Sequence, residues 1–117
     1  MGRQLAFWKY EDGIYLDNRE VYMTSCIEGK IINGLAQLPY AEILVKLNNV
    51  FSSYTKLDTY NFESAKGSFT VYPRQQSVLF DCSFSLPETE INSIIDIMLE
   101  YGCPYYDPQI AVRFDGT

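Results

Sequence analysis

The strongest periodicity in the chain lies between Glu88 and Leu99. Apolar residues recur there at Ile91, Ile94, Ile95, Met98 and Leu99, the i, i+3, i+4, i+7, i+8 spacing of a helix with one buried stripe. Ser85 stands three residues before Glu88, the spacing of a capping box, and Pro87 suits a first turn, so the pattern predicts a helix opening at Ser85. Gly102 falls where such a helix ends in the left-handed conformation, and Pro104 blocks continuation. A second helical period runs through residues 38–53, LPYAEILVKLNNVFSS. Pro39 suits its first turn, and Ile43, Leu44, Leu47, Val50 and Phe51 fall on one side. Glu42 and Lys46 form an i,i+4 pair on the other.

Elsewhere the pattern alternates with period two. Residues 3–10 predict a first strand, Glu11-Asp12-Gly13 a turn, and Ile14-Tyr15-Leu16 a short second strand. Asp17 lies three residues before Glu20, as at a helix start, yet VYMTSCI is rich in strand formers. Residues 18–28 therefore read as either helix or strand. Gly29 and Gly34 bracket an irregular crossing. TYNFESA, GSFTVYP and SVLFDCSF predict three strands, the last two joined through Pro73–Gln76. Val78, Phe80, Cys82 and Phe84 alternate against Leu79, Asp81 and Ser83, which sends Cys82 to the core and Asp81 away from it. Gln109–Phe114 predicts a closing strand. This order implies a single α+β domain over residues 1–117. Its expected form is a two-layer sandwich with a mainly antiparallel sheet and helices on one face, with ferredoxin-like order as a candidate arrangement. The other sheet face is then exposed or paired with another subunit. Tyr60, Phe62, Phe69 and Tyr72 are its candidate aromatics, and register decides which of them face out.

Composition narrows the chemistry. The 117 residues are 47% hydrophobic, enough for a core without staples, and aromatics reach 15%, with ten Tyr and seven Phe. No stretch has the length and apolarity of a membrane span, and Met1-Gly2-Arg3-Gln4 leads into strand, not signal peptide. Gly2 also lacks the Ser or Thr that a myristoylation signal needs, so the expectation is a soluble, cytoplasmic protein with no membrane partner. The three cysteines (Cys26, Cys82 and Cys103) are far apart, and there is no histidine. A disulfide framework and a structural zinc site are disfavoured. So is the commonest general base. An enzyme of this composition would rely on carboxylates, Lys, Tyr or a cofactor. No catalytic, cofactor-binding or metal-binding residue is assigned, and no cofactor is expected.

Charge points the same way. The net charge of −6 argues against nucleic acid. Between Gln75 and Val112 stand six acids (Asp81, Glu88, Glu90, Asp96, Glu100 and Asp107) and no Lys or Arg. Such a run is either a solvated face or a surface that steers a basic partner. On a helical projection Ile97 lies beside Glu90 on the polar side, with Tyr101 one turn further. Either the other helix covers Ile97, or it belongs to an apolar contact rimmed by Glu90, Asp96 and Glu100. The segment GCPYYDPQ, Gly102–Gln109, reads as a corner. Gly102 and Pro104 stop the helix, Cys103 supplies the apolar contact after it, and Asp107-Pro108 turns the chain, leaving Tyr105 and Tyr106, at least one of them facing out. Cys103 makes a poor nucleophile there, since a helix C-terminus disfavours a thiolate.

GCPYYDPQ resembles the Gly-hydrophobe-x-x-Tyr-Asp-Pro-Gln ending of small, uncharacterised bacterial α+β proteins, some of which are similar to immunity proteins of toxin–immunity systems. The resemblance covers eight residues and carries no catalytic groups. It implies a non-enzymatic protein-binding domain, an immunity-type inhibitor of a basic toxin or effector. The candidate partner-binding residues are Glu90, Asp96, Ile97, Glu100, Tyr101, Tyr105 and Tyr106. Two alternatives stand beside it. One is a homodimeric scaffold or small-ligand module that uses the aromatic sheet face. The other is an enzyme using carboxylate or tyrosine chemistry, which requires a cleft with at least two convergent titratable groups.

Overall fold

A computed structural model describes residues 2–114. Seven strands form one sheet: β1 Gly2–Trp8, β2 Thr55–Lys56, β3 Asn61–Glu63, β4 Ser68–Pro73, β5 Ser77–Ser83, β6 Tyr105–Asp107 and β7 Val112–Phe114. The helices are α1 Asn18–Val21, which continues into a π-helical turn at Tyr22–Ile27, α2 Tyr40–Val50 and α3 Glu88–Glu100. The strand order is β2-β3-β4-β5-β1-β6-β7, and every pairing is antiparallel. Antiparallel neighbours make β1 and β4 run in the same direction on either side of β5, with α2 in the connection between them. In the same way β5 and β6 flank β1, with α3 connecting them. These are two interleaved split βαβ units, the ferredoxin-like arrangement, widened by β2 and β3 at one edge and β7 at the other.

Alternation along the strands builds two cores. Leu5, Phe7, Phe62, Phe69, Val71, Val78, Phe80 and Cys82 face α2 and α3, meeting Ile43, Leu47, Phe51, Ile91, Ile94, Ile97 and Met98. Phe62 and Phe69 stack at 4.7 Å, and Phe51 meets Phe69 edge-on at 5.0 Å. Each such fully buried side chain contributes about 1.5–3 kcal/mol. The opposite face carries a smaller core of Ala6, Trp8, Leu79 and Tyr106 beneath Val21, Cys26 and Leu35. The two long helices thus share one face, as expected, while α1 and the segment after it form a partial third layer.

Residues 18–28 resolve as helical. Asp17 caps α1 by accepting from the Glu20 amide at 3.1 Å. Arg74 donates to the carbonyls of Cys26 and Ile27 at the far end. Burial of Ser25 and Cys26, with a Ser25–Ser77 hydroxyl contact of 2.9 Å, overrides the strand propensity of the sequence.

Other expectations shift. Ile14–Leu16 forms no strand. The capping box expected at Ser85 does not form: α3 starts at Glu88 with Pro87 as its uncapped N-cap, and the Ser85 hydroxyl lies 3.2 Å from that of Ser83. Because β5 ends at Ser83 and the chain turns there, Phe84 leaves the alternation and is 75% exposed. The corner after α3 contains a strand, β6, and the closing strand contracts to Val112–Phe114 across a four-residue turn. Among the described residues no helix is long and apolar enough to cross a membrane.

Candidate functional site

The C-terminus of α3 is set by its own sequence. Gly102 takes φ +76°. The Cys103 amide bonds the Met98 carbonyl and the Gly102 amide bonds the Leu99 carbonyl, both at 3.0 Å. This is a Schellman ending, with Cys103 packed into the core that holds Met98. The termination predicted from Gly102, Cys103 and Pro104 is the one observed. Beyond it, both tyrosines are buried. Tyr105 faces the helix-side core and Tyr106 the opposite one. Successive strand residues point to opposite faces, and both faces of this sheet are covered at β6. Tyr105 and Tyr106 are therefore core residues, not surface anchors.

Ile97 is likewise 3% exposed, because α2 lies alongside α3. The buried stripe of α3 is Ile91, Ile94, Ile97 and Met98, rotated toward α2 from the arc that a lone amphipathic helix predicts. The residue displaced outward is Leu99, half exposed. Of the two readings of Ile97, coverage by the other helix is the one observed, and the exposure of Leu99 departs from the expected stripe.

The remaining candidates stay at the surface of the helix layer. Glu90 accepts from the Tyr54 hydroxyl at 3.2 Å. Glu100 reaches Lys46 of α2 at 3.5 Å, replacing the Glu42–Lys46 pair that the sequence suggested. Tyr101 is partly buried against the core. Burial, with Glu42 and Glu100 nearby, raises its pKa. Asp96 is exposed. Together α2 and α3 carry Glu42, Glu88, Glu90, Asp96 and Glu100 and one cation of their own, Lys46, while Glu88 is met by Arg3 of β1. The same two helices expose apolar side chains, Leu99 and the 59%-exposed Val45. An exposed ion pair such as Lys46–Glu100 contributes about 0–1 kcal/mol, so the layer is held by its core and the charge is left for the surface.

A cleft of about 430 Å³ lies between the start of α3 and the sheet, lined by Arg3, Phe84, Leu86, Glu88, Ile91 and Asp107. Arg3 donates to Glu88 at 2.8 Å and to the Tyr105 hydroxyl at 3.3 Å. Burial works against the Arg3 charge, yet the bond with Tyr105 and the carboxylates of Glu88 and Asp107 outweigh it and raise its pKa. The titratable groups of this cleft thus converge on one guanidinium and bond one another. The cysteines offer no nucleophile: all three are buried, and burial pushes each thiol up to about 12. Of the candidate sheet aromatics, Phe62 and Phe69 enter the core while Tyr60 and Tyr72 are exposed.

No known family model matches the chain, and no curated protein matches it in sequence.

Proposed function

We propose that this chain is a non-enzymatic protein-binding domain, an immunity-type inhibitor that holds a basic toxin or effector against its helix layer. The observation that carries the reading is the composition of that layer: five carboxylates and a single lysine on α2 and α3, with Glu88 paired to Arg3 and Glu100 to Lys46, on helices that also expose Leu99 and Val45. Acidic charge at this density accelerates encounter with a basic surface, and apolar side chains within it supply desolvated anchor points.

The test is affinity capture from source-cell lysate with the tagged chain and with an Asp96→Lys/Glu100→Lys double variant, in low and moderate salt. A basic protein retained by the parent, lost in the variant and weakened by salt is expected. Equal recovery by both, or no basic protein at either salt, refutes the reading. A second reading, a homodimeric scaffold, draws on the sheet face not covered by α1, where Tyr60 and Tyr72 are exposed and line one shallow concavity. Sedimentation showing a strict monomer removes it.

A further inference from the structure

Asn33 is the one asparagine of the sequence that is followed by glycine. The pair forms a turn outside every helix and strand, in the irregular segment that leads to Leu35 of the smaller core. Asn33 is exposed, and Gly34 takes φ +103°. A Cβ on Gly34 would lie 2.7 Å from the Ile14 Cγ2, so both the backbone angle and the space call for glycine here.

Both groups needed for a reaction within this turn are unengaged. Among the described residues the Gly34 amide donates no hydrogen bond, and the Asn33 side chain makes none. The other asparagines are held. The side chains of Asn18, Asn48 and Asn61 bond Tyr10, Lys56 and Asp58. Asn49 and Asn92 lie inside α2 and α3, where the helix ladder occupies the amide that follows each of them. At Gly34, by contrast, no side chain screens the nitrogen from the preceding carboxamide.

We propose that Asn33 is a site of spontaneous deamidation. The Gly34 nitrogen gives its proton to solvent base and bonds to the Asn33 side-chain carbonyl carbon. The bond from that carbon to the side-chain nitrogen breaks, and the nitrogen takes a proton from water and leaves as ammonia. Water then opens the resulting succinimide at one of its two carbonyls, leaving aspartate or isoaspartate. No oxidant or cofactor takes part.

The position gives the modification a consequence. On one side the amide and the carbonyl of Ile32 are both bonded by Gln76. On the other, the Gly34 carbonyl accepts from the Glu11 amide at 2.8 Å. Isoaspartate routes the backbone through the former side chain and inserts one methylene between these two anchors, so they cannot both keep their places. Aspartate adds only a surface charge. The turn is not part of the helix layer, so the proposal stands or falls independently of the partner-binding reading.

The test is a timed incubation of the intact chain at neutral and mildly alkaline pH. Peptide mapping by mass spectrometry follows it, with electron-based fragmentation to separate aspartate from isoaspartate. A mass gain of about 1 Da confined to the peptide containing Asn33 is expected, several-fold faster at the higher pH. Its rate should fall within about tenfold of that in the urea-unfolded chain, because an exposed turn opens at little cost. Asn33→Gln, which can close only a larger and slower-forming ring, should abolish the gain. Asn33→Asp should keep the parent's urea midpoint, whereas the isoaspartate fraction should show a lower midpoint and faster exchange at the Glu11 amide. A folded rate more than about tenfold below the unfolded one would overturn the proposal. So would an equal gain at other asparagines, a gain that persists in Asn33→Gln, or an isoaspartate fraction as stable as Asn33→Asp.

Discussion

Gln76 is a buried amide that uses both ends of its side chain. Its Oε1 accepts from the Ile32 amide at 2.8 Å, and its Nε2 donates to the carbonyls of Ile32 at 2.9 Å and Leu35 at 3.2 Å. These bonds tie the irregular segment that closes the smaller core to the β4–β5 turn, which also holds Leu38 through the Gln75 carbonyl at 2.7 Å. Gln76→Ala deletes all three. A net hydrogen bond contributes about 0.5–1.5 kcal/mol. The two bonds to Ile32 are partly buried and can be replaced by water, so they sit at the low end. The bond to the Leu35 carbonyl is buried and sits at the high end. The expected loss is about 2 kcal/mol, or roughly 8 °C in Tm for a domain of this size. Urea unfolding followed by far-UV circular dichroism gives the free energy, and hydrogen exchange gives the protection of the Ile32 amide. Gln76→Glu keeps the acceptor but aims a carboxylate at two carbonyls, so it should cost at least as much as alanine. A loss below about 0.5 kcal/mol with Ile32 still protected would show that the segment is held by packing alone.

Ala111 adopts φ +54° in the β6–β7 turn. Ala111→Gly relieves about 1–2 kcal/mol of left-handed strain, offset in part by glycine's entropy, so a net gain of about 0.5 kcal/mol in thermal unfolding is expected and a loss would contradict it. A Cβ on Gly67 would lie 2.6 Å from the Leu86 amide nitrogen and 2.7 Å from its Cα, both backbone. Gly67→Ala should therefore cost about 2 kcal/mol in urea unfolding, and a neutral result would mean that the turn yields freely. The buried thiols keep their protons to about 12 in the folded state, above their ordinary value of 9.0. Their contribution is whole below the unfolded pKa and is lost as pH rises toward the folded one. The urea midpoint should fall between about pH 8 and about pH 10.5, and a flat profile contradicts this. Over the same range a disulfide exchange reagent should label the cysteines only as the protein unfolds.

The α+β sandwich was legible because its evidence is local. Period two in β4 and β5, period 3.6 in α2 and α3, and the Gly102–Pro104 stop each need only their own residues. What was not legible depends on neighbours. The rotation of the α3 stripe toward Ile97, which frees Leu99, follows from α2 lying alongside. The burial of both Tyr105 and Tyr106 follows from the α1–π segment covering the second face of β6, and that segment is held by Asp17 at its start and, from a distant part of the chain, by Arg74 and Ser77 around the β4–β5 turn. Ser85 carried a sound capping signature, yet its hydroxyl sits beside Ser83. Of the candidate contact residues, Glu90, Asp96, Glu100 and Tyr101 remain on the helix layer, because charge at the surface is a local property and burial of an apolar residue is not.

The most direct test of a partner held on α2 and α3 is a hydrogen–deuterium exchange footprint of the complex formed with the captured basic protein. Added protection concentrated in Glu90–Tyr101 and Glu42–Lys46, with the Tyr60 and Tyr72 face unchanged, is the expected result. Protection that falls on β2–β4 while the helix layer exchanges as in the free chain would contradict it.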